Sequence, residues 1–220
     1  MCGRFTLFTE PGTLQERFEF EVNELKPRYN IAPTQPVLAV MGGEQRKGTL
    51  LRWGLIPFWS KDTKIGNRMI NARSETVHEK PSFKRLLKRQ RCLILSSGFY
   101  EWKKTGNGKQ PCFIRLASGE PFAFAGLWDH WKQGDKEITS CTIITTIPND
   151  LMKPIHHRMP AILRPEDEAA WLDPGLEEPN VLRSLLNPYP AEEMAAYPVS
   201  NLVNSPKNDI PECILPIPKS

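Results

Sequence analysis

Phe122-Ala123-Phe124-Ala125-Gly126-Leu127-Trp128 and Ile138-Thr139-Ser140-Cys141-Thr142-Ile143-Ile144-Thr145-Thr146 decide the fold class of this chain. Both are short, rich in β-branched or aromatic residues, and bounded by turn formers, which is the pattern of β-strands. Val37–Met41, Thr49–Leu55, Cys92–Leu95 and Cys112–Leu116 read the same way. Helical signals are fewer. Pro11–Phe18 reads as a short early helix and Phe83–Arg89 as a basic one. Glu166–Leu172 is started by Pro165, with acids in the first turn where the helix dipole favours them, and Glu177–Leu186 is a fourth. Many strands with segregated short helices predict a single α+β domain over 1–220, with a largely antiparallel, barrel-like sheet and short peripheral helices. Glu166 to Glu193 holds eight acids and one base, Arg183, so 165–195 reads as a peripheral helical extension.

Composition excludes several classes of function. With 220 residues, 40% apolar and 25% charged, the chain can bury a full core without disulfides or metal. No apolar run approaches the roughly 20 residues of a spanning helix. Met1-Cys2-Gly3-Arg4-Phe5 lacks the charged and apolar regions of a secretory signal, so a cytoplasmic location away from the membrane is expected. Cysteines at 2, 92, 112, 141 and 213 form no close pair, and the histidines at 78, 130, 156 and 157 lack the i, i+4 spacing of a helical zinc motif. No phosphate loop or Gly-x-Ser-x-Gly elbow is present, and neither a metal nor a cofactor is expected. The 21 prolines are scattered, as suits many short connections within one domain. Charge is clustered instead. Between Lys61 and Arg91, ten basic residues face three acidic ones, a local +7 that leaves the remainder at −3 against the overall +4. Such a run attracts polyanions, or forms a solvated helix face.

Dense polar and aromatic segments lie far apart along the chain. They are Cys2-Gly3-Arg4-Phe5, Arg28-Tyr29-Asn30-Ile31-Ala32-Pro33, Arg52-Trp53-Gly54-Leu55-Ile56-Pro57, Asn71-Ala72-Arg73-Ser74-Glu75-Thr76, Gly98-Phe99-Tyr100-Glu101-Trp102, Thr145-Thr146-Ile147-Pro148-Asn149, His156-His157-Arg158-Met159-Pro160 and Val199-Ser200-Asn201-Leu202-Val203-Asn204. In this order they closely resemble the SOS-response-associated peptidase (SRAP) family, also called the abasic-site-processing domain, from position 2 to about 204. The resemblance implies that Met1 is removed and that Cys2, then the amino terminus, crosslinks to abasic sites in single-stranded DNA. It also implies catalytic or supporting roles for Asn71, Glu101 and His156, with His157 at the variable position of His-x-Arg-Met-Pro. The chain departs from the family at Ile147-Pro148, where a small residue commonly precedes the asparagine.

The chemistry of these residues agrees with that implication. An amino-terminal cysteine offers a thiol of reference pKa ≈ 8.5 beside an amine of ≈ 7.7 to 8.0. The amine can attack the aldehyde of a ring-opened abasic site, and the thiol can close on the same carbon to give a five-membered thiazolidine. Glu101 between two aromatics suits proton transfer, His156 could exchange protons with the opened sugar, and Asn71 could orient the amine. Arg4, Arg73 and Arg158 could hold phosphates, as could Thr145 and Asn149, while Trp53, Trp59 and Trp102 could stack unpaired bases. Asn30, in the second motif, joins the expected DNA contacts. The expected partner is single-stranded DNA with abasic sites, bound by a monomer, and replication-fork partners are not identified. Two other readings remain open: a thiol peptidase using Cys2, His156 and Asn71, and a non-catalytic reader of modified DNA.

Overall fold

A computed structural model describes residues 2–21, 25–43, 45–106 and 108–217. In chain order the elements are β1 (Phe5–Leu7), α1 (Pro11–Phe18), β2 (Arg28–Ile31), β3 (Pro36–Met41), β4 (Lys47–Trp53), β5 (Asn71–Arg73), α2 (Pro81–Arg89), β6 (Arg91–Ser96), β7 (Gly98–Thr105), β8 (Gly108–Leu116), β9 (Phe122–Gln133), β10 (Lys136–Thr146), β11 (Met159–Pro160), α3 (Pro165–Leu172), α4 (Pro179–Ser184) and β12 (Met194–Pro198). All four α-helices among the described residues open on a proline, at Pro11, Pro81, Pro165 and Pro179. At the first helical position the missing N–H is lost at no cost and the fixed φ already suits the helix. Part of the scattered proline content is thereby explained.

The strand pairings close a ring. β3 pairs antiparallel with β4 and β6, β6 with β9, and β9 with β10, while β10 returns to β4 in parallel at Ser140↔Arg52 and Cys141↔Trp53. This is the barrel expected from the sequence, and closure removes the exposed strand edges that invite aggregation. Further along β10, Ile143 to Thr145 pair with Asn71 to Arg73 of β5, and Thr145 and Thr146 pair with β11. A second, antiparallel sheet runs β12-β8-β7-β1-β2.

The chain passes from barrel to second sheet at Ser97, between β6 and β7. The Ser97 hydroxyl accepts the Phe8 and Thr9 amides at 3.0 and 3.2 Å, and its own amide bonds Thr6 O at 2.9 Å. Gly98 follows because a Cβ there would lie 2.3 Å from Phe113 Cζ. Between the two sheets Phe5 packs edge-on against Trp53 at 5.1 Å and Phe124 at 5.5 Å, with Phe99 6.0 Å from Phe124. Edge-to-face contact suits the ring quadrupoles. On the outer face of the second sheet, Tyr100 and Phe113 are covered by Val199, Val203 and Cys213.

α3 is more deeply seated than a peripheral extension: Trp171 is wholly buried and its indole N–H bonds Cys92 O at 3.1 Å. Arg91 explains this seating. It is 5% exposed, and its guanidinium donates to Leu87 O at 2.7 Å and Lys88 O at the end of α2, and to Trp171 O and Asp173 O at the end of α3. One cation thus satisfies the orphan carbonyls of two helix ends. Arg91 therefore leaves the set of basic residues expected to meet a polyanion. At the other end of α3, Glu168 is buried and forms two 2.9 Å bonds to Arg17 of α1. Among the described residues no helix is long and apolar enough to cross a membrane.

Candidate active site

Cys2 lies three residues ahead of β1, which runs between β7 and β2. β1 pairs with β7 at Phe5↔Phe99, and the Tyr100 amide bonds Arg4 O at 2.9 Å, so the residues before β1 continue alongside β7 toward Glu101. From the opposite side Asn71, at the start of β5, donates from Nδ2 to the Cys2 carbonyl at 2.8 Å. The parallel pairing of β5 with β10 fixes Asn71 there. Its Oδ1 is buried with no hydrogen-bond partner among the described residues.

Burial sets the protonation of this group. Cys2 is wholly buried, and desolvation first, then the neighbouring Glu101 charge, push its thiol well above the ordinary range. Glu101 is 3% exposed, and burial raises its carboxyl from 4.5 to about 7. A carboxyl poised there exists in both protonation states near neutrality. His156 lies in the loop between β10 and β11, half-buried, with Nδ1 3.0 Å from the Arg158 amide nitrogen. Burial is the main cause holding its imidazole below the ordinary value, and the charge of Lys104, three residues beyond Glu101 on β7, acts in the same direction. Cys2, Asn71 and Glu101 thus converge directly, and His156 stands within electrostatic reach of the same strand.

The residues expected to hold DNA divide into two groups. Arg73 is exposed on β5 beside Asn71, and Trp59 is 51% exposed. Trp102 is half-buried, bonds Asn204 Oδ1 at 2.7 Å through its indole N–H, and lies 5.8 Å beneath the Arg4 guanidinium. Arg4 itself donates to Asn30 Oδ1 at 2.8 Å and Val203 O at 2.7 Å. Arg158 is buried as well, and it forks onto Glu75 at 2.5 and 2.9 Å and onto Thr145 O at 2.6 Å. That bond is the main cause holding the Glu75 carboxyl below its ordinary range.

The second group is bonded within the protein. Trp53 is wholly buried, with its indole N–H on Ile70 O at 2.9 Å, so it is a core residue and not a stacking surface. Asn30 is wholly buried too, and its Nδ2 donates to Val203 O, Ser205 O and Asn208 O at 3.2, 3.0 and 2.7 Å. Thr145 is buried with Oγ1 on Ala72 O at 3.3 Å, and Asn149 bonds Tyr189 O at 2.6 Å and the Met152 amide at 2.9 Å. These four side chains are committed to the protein itself, so the strand contacts expected of them do not fit the folded chain. Glu75 and Asn204 escape the sequence reading although both stand inside quoted motifs. Their partners, Arg158 and Trp102, lie 83 and 102 residues away.

A cysteine near the start of the fold, held between a strand asparagine and a buried carboxyl where a closed barrel meets a second sheet, defines a thiol site. The chain belongs to the SOS response associated peptidase (SRAP) family, whose model matches residues 1–206. It is 51% identical over 222 residues to the abasic site processing protein YoqW of Bacillus subtilis, covering 97% of this chain and 99% of that one. To the abasic site processing protein HMCES of Gallus gallus it is 39% identical over 197 residues, which cover 76% of this chain and 56% of that protein. A crystal structure of a protein from Bacteroides thetaiotaomicron superposes with a TM-score of 0.90 at 31% identity, over 98% of this chain and all of that one.

Proposed function

We propose that this chain processes abasic sites in single-stranded DNA and, once Met1 is removed, links itself covalently to them through Cys2. It acts as one unit, a monomer in the cytoplasm that associates with DNA at lesions. The observation that carries the reading is the convergence of Asn71 and Glu101 on Cys2 from strands that are distant in sequence.

In the proposed reaction the Cys2 amine adds to the aldehyde carbon of the ring-opened sugar, giving a carbinolamine. Loss of one water leaves an imine. The thiol then adds across C=N, sulfur to carbon and hydrogen to nitrogen, and closes the thiazolidine. Burial keeps the thiol protonated, which supports the order of amine first and sulfur second. Glu101, with its carboxyl near 7, can protonate the sugar ring oxygen and the departing hydroxyl and take a proton back on reversal. Neutral His156 can accept a proton from the sugar hydroxyl. Asn71 holds the Cys2 carbonyl, fixing the residue whose nitrogen and sulfur both react. Exposed Arg73 and Trp59, together with half-buried Trp102, supply phosphate and base contacts. Self-processing of the amino terminus is compatible with the same groups. A non-catalytic reader gives no reason for burying a carboxyl beside a polyanion.

The test is the intact mass of the protein after incubation with abasic and undamaged oligonucleotides. A stable adduct with the abasic strand alone is expected, and Cys2→Ala should leave at most a labile imine that borohydride traps. A stable, undiminished adduct with Cys2→Ala would remove the thiol from the mechanism.

A further inference from the structure

Beyond half-buried Trp102, β7 and β8 run on as an exposed hairpin that carries Lys103, Lys104 and Lys109. No acid stands between Glu101 and Glu120. The register sets Lys104 directly opposite Lys109, and like charges so placed destabilise a strand pair. None of the three lysines forms an ion pair among the described residues. The hairpin of β9 and β10 shows the other solution, for there Lys132 stands opposite Glu137 and is paired with it. In the basic run from Lys61 to Arg91, which lies outside this hairpin, Arg85 and Arg89 are paired with Asp129 and Glu177, and Arg91 caps two helices. The unpaired lysines of the β7–β8 hairpin are therefore cations that the fold itself does not use.

Position gives them a partner. The hairpin continues the strand that carries Glu101 and Trp102, and the charge of Lys104 reaches His156, so it rises on the side of the candidate site. At about 3.3 Å per residue, Lys104 lies about 10 Å along β7 from Glu101. A strand whose lesion sits at Cys2 has phosphates at that distance, about three nucleotides away at duplex spacing and fewer when the strand is extended. We propose that Lys103, Lys104 and Lys109 make the hairpin a phosphate-binding arm, which holds the lesion-bearing strand on one side of the abasic site. The proposal rests on the reading of this chain as one that acts on abasic sites in single-stranded DNA. The phosphates supply the counter-charge that the hairpin lacks, so the Lys104–Lys109 repulsion, present in the free protein, is relieved in the complex.

The test compares Lys104→Gln/Lys109→Gln with Lys132→Gln/Lys136→Gln, which removes the same charge from the β9–β10 hairpin. Affinity for an undamaged single strand is measured against salt. In the first variant the slope of log affinity against log salt should fall by up to about 1.4, about 0.7 for each phosphate no longer neutralised, and in the second it should hold. An unchanged slope, or the same fall in both variants, overturns the proposal. The melting temperature of the first variant should hold or rise, because a repulsive pair is gone; a fall would show that the fold compensates the pair, and overturns the proposal too. Position is read from crosslinking rates at limiting concentrations of abasic strands with one flank trimmed to a single nucleotide. Trimming one flank should abolish the difference between the parent and Lys104→Gln/Lys109→Gln, and trimming the other should leave it. A difference that survives both trimmings overturns the arm, since the lysines would then act as general charge. An absence of crosslinking in every protein would defeat the proposed function, while the salt slopes still decide whether the hairpin binds phosphate.

Discussion

Glu101→Gln replaces an ionisable oxygen by an amide in a buried side chain and should move stability and chemistry in opposite directions. In the folded chain burial lifts the carboxyl from 4.5 to about 7, whereas in the unfolded chain it titrates in the ordinary range. Between those values the folded state keeps a proton that the unfolded state has lost. Stability therefore falls as the pH rises through this window and levels off above it. At about 1.4 kcal/mol per pH unit, the Glu101 contribution to that loss is about 3 kcal/mol, as an order of magnitude. Glutamine cannot ionise and escapes the loss, although a buried amide N–H in place of a carboxylate oxygen takes back about 1 kcal/mol or more. Urea unfolding at pH 5 and pH 8 should show the variant gaining on the parent by about 1–3 kcal/mol at the higher pH. In the same protein the crosslinking rate, followed with excess abasic strand, should fall by about 10² to 10⁴, and the reversal rate with it. Affinity for an undamaged strand should hold or rise slightly. A parent-to-variant stability difference independent of pH would refute the burial argument, and an unchanged crosslinking rate would refute the catalytic one.

Asn71→Ala frees the Cys2 carbonyl and should slow crosslinking by about 10- to 100-fold; a rate within twofold of the parent, measured on denaturing gels, would show that the 2.8 Å bond is only structural. Charge reversal at exposed Arg73 should weaken binding to damaged and undamaged strands alike. It should also lower the slope of log affinity against log salt by about 0.7 for each phosphate that is no longer neutralised, and a slope that does not change would exclude Arg73 from phosphate binding.

Strands with continuous β-branched or aromatic runs are legible in the sequence, and each of the six appears within a residue or two at one end or both, or grows longer as β8 and β9 do. The helix starts at Pro11 and Pro165 are legible because proline marks them, whereas α2 opens on Pro81, two residues before the expected Phe83, and α4 on Pro179, two residues after the expected Glu177. β1, β5 and β11, of three, three and two residues, are too short for any periodicity to register, and β7 opens on a glycine that reads locally as a turn. The parallel pairings of β10 with β4 and β5 join segments some 70 to 90 residues apart and leave no local trace. At the site, residue type announces Cys2, Asn71 and Glu101 through their motifs, but type does not give direction. Trp53 and Trp102 look alike in sequence and differ in that one points into the core. Arg91 is one more cation in a basic run until the fold sets four carbonyls around it. Charge counting cannot distinguish a cap from a contact.

β1 carries a consequence for how the protein is made. β1 leaves the ribosome before β7, more than 90 residues later, which completes its pairing, and Arg4 waits 199 positions for the Val203 carbonyl. At about 5–20 residues per second of synthesis, the interval between emergence of the cysteine and arrival of its last supports is about 10 to 40 seconds. Throughout that interval the segment around Cys2 is a loose thread. Only when Val203 has followed does the fold enclose it, so the pocket around the Cys2 thiol is assembled late and is missing from a half-made domain.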